Sequence, residues 1–205
     1  FSTSVEDYAR SLLASNTKEY VAYKPVVKAM LNYGAASQQY FGFMTYALAN
    51  SSLTNADKTI QQIPQATLKQ YAANSCIRQF SMSGIHNYGS SLVVGDDVKL
   101  RHYFKLDSGR DISNYSFATY VGGDMIGYAT PCRSNDIDMY YIEVTCTNRN
   151  FFSGMRTIVS NGNTETILDY QPMNYIAKAY GSSKLTSELK TLLDAMYWFE
   201  YQKIK

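Results

Sequence analysis

Residues 26–33 read Val-Val-Lys-Ala-Met-Leu-Asn-Tyr, and residues 192–199 read Leu-Leu-Asp-Ala-Met-Tyr-Trp-Phe. Each stretch combines two aliphatic residues, a charge, Ala-Met and aromatic residues in a pattern that favours a helix. Similar helical stretches therefore stand near both ends of the chain. We expect these two helices to pack on each other and to hold the region between them.

Helix start signals extend this pattern on both sides. Val5 and Ala9 begin an apolar face at helical spacing, directly after Thr3 and Ser4, which suit a capping box. Proline suits the first turn of a helix, because its missing N–H needs no partner there. A glycine inside a helix, such as Gly34, indicates close packing at that point. The predicted helices begin near Ser4, at Pro25, at Pro64, at Pro172 and near Ser183, and the last continues to Gln202.

Between the helices, the apolar residues recur at the period of a strand. Asn161-Gly162 marks a hairpin, because both residues accept the positive φ of a tight turn. Roughly seven or eight short strands between residues 75 and 168 favour a small sandwich or a curled antiparallel sheet. The clearest strand alternates apolar Val98, Leu100, His102, Phe104 and Leu106 with Lys99, Arg101, Tyr103 and Lys105.

These patterns predict an α+β fold. N- and C-terminal helical hairpins are expected to pack together against an antiparallel β-sandwich-like unit. We expect a single structural unit, 1–205, with an N-terminal helical part (1–74), an antiparallel β part (75–168) and C-terminal helices (169–205) that complete the helical part.

Composition excludes several functional classes. The net charge of +2 is too small for nucleic-acid binding, which needs a clustered basic patch. The apolar runs are too short for direct membrane insertion. Only 18% of residues are charged, and the chain holds 19 Tyr, a polar surface typical of exported proteins. Because the chain begins with Phe1, we expect it to be part of a longer precursor whose neighbouring modules are its partners.

The cysteines and histidines predict neither a metal site nor a cofactor. Cys76, Cys132 and Cys146 are three in number, so they cannot form a closed disulfide framework. Their spacing, taken with His86 and His102, fits no zinc motif. Two interpretations stay open: three unpaired small residues, or one disulfide and a free thiol.

No catalytic constellation stands out, so we predict that the chain is not an enzyme. The tight acidic pairs, Asp96-Asp97 and Asp136-x-Asp138, fall at predicted turns, which favour Asp. A weak calcium site at Asn135, Asp136 and Asp138 is an alternative, although the EF-hand spacing is absent. A hydrolase is the weakest of the functional hypotheses, since the nucleophile motif Gly-x-Ser-x-Gly does not occur. His102 is expected to be a satisfied, partly buried side chain.

The polar face of the clearest strand is the candidate binding site. It carries Lys99, Arg101, Tyr103 and Lys105; the alternative is a solvated outer face that protects a sheet edge. Tyrosine rings are also suited to stacking on sugars. The sequence predicts exposed rings at Tyr115, Tyr120, Tyr128 and Tyr140, and a helical core that takes Tyr8, Tyr33, Tyr40, Tyr175, Trp198 and Phe199.

Several segments together resemble an uncharacterised accessory domain of multi-modular proteins of Gram-positive gut anaerobes. The matching segments are Ser4-Val-Glu-Asp-Tyr-Ala9, Leu31-Asn-Tyr-Gly-Ala-Ala-Ser-Gln-Gln-Tyr-Phe41 with Leu48-Ala-Asn50, Gly89-Ser-Ser-Leu-Val-Val94, Leu100-Arg-His-Tyr-Phe-Lys-Leu106 and Pro172-Met-Asn-Tyr-Ile176. Together with the Leu-rich last helix they span nearly the whole chain. Such domains lie toward the C-terminus of secreted or cell-surface proteins, beside leucine-rich repeats, immunoglobulin-like modules, dockerins or wall-attachment signals.

The resemblance implies an extracellular location, either secreted or attached to the cell wall, and assigns no site residues. The resulting hypothesis is a non-enzymatic structural or interaction module of a bacterial surface or secreted protein, with a protein or glycan ligand. The alternative is a carbohydrate-binding module attached to a glycan-degrading enzyme.

Overall fold

The computed structural model describes residues 5–43, 45–73, 80–94, 98–135, 137–146 and 148–205. These ranges contain α1 (Val5–Ala14), α2 (Lys18–Phe41), α3 (Asn55–Lys58), α4 (Gln65–Ala73), α5 (Asn148–Ser153), α6 (Pro172–Tyr180) and α7 (Ser187–Lys203). The strands are β1 (Ile85–Val94), β2 (Val98–Leu106), β3 (Ser116–Val121), β4 (Asp124–Tyr128), β5 (Cys132–Arg133), β6 (Tyr140–Thr145), β7 (Met155–Ser160) and β8 (Glu165–Tyr170). The predicted α+β class, with helices at both ends and antiparallel sheets between them, is confirmed.

The chain divides into two compact units. The helical unit comprises Phe1–Gln65 and Tyr180–Lys205, and the sheet unit comprises Ala66–Ala179. Thus all but the first residue of α4 and all but the last residue of α6 fall in the sheet unit, whereas the sequence grouped them with the helical parts 1–74 and 169–205. That the whole chain forms a single structural unit stays a prediction.

In the helical unit, the helices from the two ends of the chain meet, as the sequence predicted. The most extensive contact between helices is that of α2 with α7. The rings of Tyr33 on α2 and Phe199 on α7 stack with centroids 5.7 Å apart. On another side of α2, Ala9 of α1 joins an apolar cluster with Val27 and Leu31. A bilayer-spanning helix needs about 20 mostly apolar residues, and none of the helices in the described ranges meets that requirement.

The start of α2 corrects one prediction. The helix begins at Lys18, so Pro25 lies inside it rather than in its first turn. An internal proline removes one backbone hydrogen bond and costs roughly 3 kcal/mol. Helix formers such as Lys18, Glu19 and Ala22 extend the helix backwards from the proline all the same. The predicted caps at Thr3 and Ser4 lie outside the described residues.

Close packing at Gly34 is also found, but its partner is a loop. A Cβ built on Gly34 would lie 3.0 Å from the Cβ of Ala49, in the segment that follows α2. The Gln38 side chain also accepts a hydrogen bond of 2.7 Å from the Ala49 N–H. This segment therefore lies directly on the helix that precedes it.

A buried carboxylate connects α7 to two other parts of the helical unit. Asp194 is only 3% exposed and accepts a hydrogen bond of 2.8 Å from the backbone N–H of Ile63. Its Oδ1 also accepts a hydrogen bond from the Tyr180 hydroxyl, and its Oδ2 lies 3.0 Å from the Lys190 ammonium. Burial, followed by the bond to Asp194, raises the pKa of Tyr180 well above its ordinary value. The phenol therefore stays a donor.

The sheet unit holds two antiparallel four-stranded sheets. Their strand orders are β1-β2-β6-β5 and β4-β3-β7-β8. The core between them draws on both sheets, with fully buried Phe104 and Ile142 from the first and Phe117, Val159 and Leu168 from the second. The predicted sandwich-like arrangement of short strands is therefore confirmed. The turn at Asn161-Gly162 connects β7 to β8 as predicted, with Gly162 at φ +85°.

Candidate functional site

The four predicted binding residues lie on β2, and the alternation that the sequence indicated is present. Leu100, His102 and Phe104 are almost completely buried, at 0–1% exposure. The intervening residues face outward from the sheet: Lys99, Arg101 and Tyr103 are half-buried and Lys105 is exposed. A strand that covers a core with one side leaves its other side available for contacts.

The neighbouring strand β6 completes this outer surface. Across the β2–β6 ladder, Arg101 lies opposite Glu143 and Tyr103 lies opposite Tyr141. We call the surface formed by Lys99, Arg101, Tyr103, Tyr141 and Glu143 the β2–β6 face. Tyr141 and Glu143 are members that the sequence did not identify as site residues.

The charges on this face are paired. Glu143 receives Lys99 Nζ at 3.0 Å and Arg101 Nε at 2.7 Å on its two carboxylate oxygens. Partial burial alone would raise the pKa of Glu143, but the hydrogen bonds from Lys99 and Arg101 outweigh it and hold the pKa below its ordinary value. The carboxylate is therefore ionised at neutral pH. The surface is a mixed-charge network rather than the basic surface that Lys99 and Arg101 alone would form.

The two tyrosine rings are held in place by their neighbours. The rings of Tyr103 and Tyr141 lie 5.9 Å apart with an interplanar angle of 51°. The guanidinium carbon of Arg101 lies 4.5 Å from the centroid of the Tyr141 ring, within the range of a cation–π contact. The Ser91 hydroxyl donates to the Tyr103 hydroxyl at 3.3 Å. These contacts order the face before any ligand arrives.

Lys105 does not join the network. It lies opposite His86 of β1, while the His86 imidazole is hydrogen-bonded to Asp107 at 2.8 Å. Within the described ranges, the ammonium of Lys105 has no ion pair. It is therefore a solvated charge beside the face.

The inner side of β2 contains the nearest approach to a nucleophilic pair. The Ser90 hydroxyl and His102 Nδ1 lie 2.6 Å apart. However, His102 is 1% exposed and its Nε2 is buried without a hydrogen-bond partner. A serine–histidine catalytic pair needs a third group that orients the imidazole, and none is bonded to Nε2. His102 was predicted to be a satisfied side chain, and only one of its two nitrogens is satisfied.

Burial of His102 makes the stability of the protein depend on pH. Desolvation lowers the pKa of His102 to about 4, whereas an unfolded histidine titrates near 6.5. Below about pH 6.5 the unfolded state binds the proton and the folded state does not, so stability falls as the pH drops toward 4. We expect a loss of about 3 kcal/mol between pH 7 and pH 4 from this residue. Urea unfolding at several pH values should show that the free energy of unfolding of His102→Leu depends less on pH than that of the original protein.

The matched control is Ile142, which lies opposite His102 on β6 and is fully buried but carries no titratable group. Ile142→Val should keep the pH dependence of stability of the original protein. Equal slopes for the original protein and His102→Leu would contradict the buried, neutral state of His102.

The other chemistry-bearing residues do not form a site where they are described. Asp138 pairs with Arg133 at 2.8 Å on the surface. Cys132 is an exposed thiol and Cys146 is half-buried. Across the described ranges, no three His, Cys, Asp or Glu side chains cluster as metal ligands would. Cys76, Asp96, Asp97 and Asp136 lie outside the described residues.

Several aromatic side chains depart from their predicted positions. Tyr175 lies on α6 in the sheet unit rather than in the helical core, and Tyr120 and Tyr140 are half-buried rather than exposed. Tyr8 and Tyr40 are 61% and 39% exposed rather than part of the helical core, and Tyr115 is 8% exposed rather than on the surface. Ala9, the next residue after Tyr8, lies on the buried face of α1, so Tyr8 points to another side of the helix. Tyr115 is in phase with Phe117, on the inward side of β3.

No family model, curated protein or solved structure matches this chain. The resemblance to the accessory domain of multi-modular bacterial proteins therefore stays a prediction. The geometry of the β2–β6 face carries the functional argument.

Proposed function

We propose that this chain is a non-enzymatic, extracellular interaction module of a bacterial surface or secreted protein, and that it binds a protein partner through the β2–β6 face. The observation that carries the proposal is the ordered group of Arg101, Tyr103, Tyr141 and Glu143. Two rings and a bridged set of charges are fixed on adjacent strands by contacts of 2.7 to 5.9 Å.

The composition of the face favours a protein as the ligand. Tyrosine and arginine are enriched at the energetic centres of protein interfaces, because they bring large contact areas with polar ends. Arg101 and Tyr103 are half-buried, so a partner would need to order little additional structure. Preorganisation of this kind lowers the entropic cost of binding. Because the charges are paired, the affinity should depend on shape and complementary hydrogen bonds rather than on long-range attraction.

A catalytic role has less support. The carboxylate of Glu143 is occupied by two cations, and such pairing stabilises the ionised form against proton transfer. The Ser90–His102 pair spans β1 and β2, and its imidazole is buried on the inner side of β2.

The carbohydrate-binding alternative uses the same face. Rings that stack on successive sugar units need to present parallel planes, whereas Tyr103 and Tyr141 meet at 51°. A single ring could still bind one sugar. The ligand screen should therefore test glycans beside proteins.

Removing a ring from the face should weaken binding strongly. Proteins captured by the immobilised chain should be identified, purified and titrated against Tyr103→Ala and Tyr141→Ala. We expect losses of roughly 30-fold, because central aromatic residues contribute about 2 kcal/mol or more. Tyr128→Ala is the matched control: Tyr128 is 71% exposed on β4, in the other sheet, so its removal should leave the affinity unchanged.

A glycan array with the same variants separates the two ligand classes. Glycan binding that disappears in Tyr103→Ala, with no protein partner, would favour the carbohydrate-binding alternative. A partner bound equally by all three variants would contradict the proposed location of the site.

A further inference from the structure

The helical unit contains a cleft that the β2–β6 face does not involve. Its volume is about 570 Å³, which falls in the range of small-molecule sites. The walls come from α2, the segment after it, α3 and α7. Ala35 and Ala36 line it with methyl groups, so the helix leaves space where larger side chains would fill it.

Two buried amides shape the floor of this cleft. Asn32 and Asn50 are both 8% exposed, and the Asn50 amide donates to Asn32 Oδ1 at 2.8 Å. The Asn32 amide in turn donates to the backbone carbonyl of Asp57 at 2.7 Å. Asn50 Oδ1 accepts no hydrogen bond from another described residue. An amide oxygen in the cleft lining that no protein donor occupies can accept a hydrogen bond from a ligand hydroxyl or from water.

One positive charge dominates the cleft. The sequence from 29 to 56 contains no Asp, Glu, Lys or Arg, and Lys58 is the one charged residue that lines the cleft. The neighbouring Asp57 is bound to Lys28 at 2.7 Å, and that hydrogen bond holds the pKa of Asp57 below its ordinary value. No described acidic side chain forms an ion pair with Lys58. Its half-buried ammonium therefore favours an anionic ligand.

The remaining polar groups of the lining suit hydroxyls. The side-chain amide of Gln39 has no partner among the described residues. Thr191 donates its hydroxyl hydrogen to the Ser187 carbonyl at 2.9 Å, which leaves its oxygen free to accept. Leu48 and Ile60 add apolar surface. The lining thus combines one cation, several neutral donors and acceptors, and an apolar wall.

We propose that this cleft binds a small hydroxylated carboxylate, of the size and chemistry of a hexuronate. The carboxylate pairs with the ammonium of Lys58. The hydroxyl groups bond Gln39, Asn50 Oδ1 and Thr191 Oγ1, and the C–H face of the ring lies on the aliphatic wall. A charge-assisted bond and several neutral bonds give an affinity in the millimolar to high micromolar range.

The experiment is an NMR titration of the full chain with sodium D-glucuronate. We expect saturable shifts at Asn32, Gln39, Asn50 and Thr191, and much weaker shifts with neutral D-glucose. Lys58→Gln should reduce the affinity for glucuronate roughly tenfold or more, because it removes the charge-assisted bond. Lys18→Gln is the matched control, since Lys18 is an exposed lysine at the start of α2 and should leave binding unchanged.

A second variant tests the location without removing a charge. Ala47 is exposed and lines the cleft, so Ala47→Phe should occupy the space and abolish binding while the protein stays folded. The proposal is overturned if glucose and glucuronate bind equally, if Lys58→Gln binds like the original protein, or if no shift in the cleft saturates. Because the cleft lies in the helical unit, none of these outcomes bears on the β2–β6 face.

Discussion

A chain that ends at Gly181 is expected to lose the folded helical unit. Such a chain lacks α7, which makes the most extensive helix contact of α2. Removing α7 exposes the apolar surface of α2 and leaves Tyr33 without its stacked partner Phe199. Most helices in proteins are stable because an apolar face is covered, not because of their intrinsic propensity. We therefore expect α1 and α2 to unfold as well.

Circular dichroism and NMR together measure this effect. The loss of helical ellipticity should exceed the share of α7, and the resonances of α1 and α2 should move to random-coil positions. Strand resonances from the sheet unit provide an internal comparison. A chain that ends at Lys203 keeps all of α7 and should melt like the full chain. A Gly181-terminated chain in which α2 keeps native shifts and a cooperative melt would show that the helices of the two ends do not depend on each other.

Replacing Asp194 with Ala should cause the largest loss of stability among single substitutions of a polar side chain that we consider. The backbone N–H of Ile63, the Tyr180 hydroxyl and the Lys190 ammonium all lose their acceptor. Removing one partner from a buried charged network costs about 3–5 kcal/mol, because the remaining donors stay desolvated and unpaired. Urea unfolding at neutral pH gives the change in free energy directly.

Related variants separate the network from a general effect of mutation in α7. Asp194→Asn keeps an acceptor and should cost less than Asp194→Ala. Tyr180→Phe removes one donor, so combining it with Asp194→Ala should cost less than the sum of the two. Glu188→Ala changes an exposed acid in the first turn of α7 and should change the stability much less than Asp194→Ala does. An Asp194→Ala protein as stable as Glu188→Ala would contradict the role given to the buried carboxylate.

The sequence predicted local elements well because their signals are local. The similar stretches at 26–33 and 192–199 indicated two helices that meet, and α2 and α7 do so. Pro25 misled the prediction because the preference for a first-turn proline is a tendency that good helix formers upstream can override. The placement of α4 and α6 in the sheet unit depends on contacts with distant residues, which periodicity does not report.

The candidate site was predictable in part. Alternation along β2 identified Lys99, Arg101 and Tyr103, since one strand has two faces. Tyr141 and Glu143 were not identifiable from the sequence. β6 is the neighbour of β2 in the sheet, but three other strands separate the two along the chain, and local sequence patterns do not indicate the order of strands in a sheet. The neutralising carboxylate of Glu143 is the reason that a row of cations in the sequence is not a basic surface in the protein.

Asp194 also has a topological consequence. The chain leaves the helical unit after Gln65 and re-enters it at Tyr180, and the same carboxylate oxygen accepts hydrogen bonds from Ile63 and Tyr180. Asp194 thus holds together the segment by which the chain leaves the helical unit and the segment by which it returns. Residues 66–179 have the connectivity of a guest domain inserted into a helical host, and adjoining ends are the condition under which such guests can be exchanged without disturbing the host.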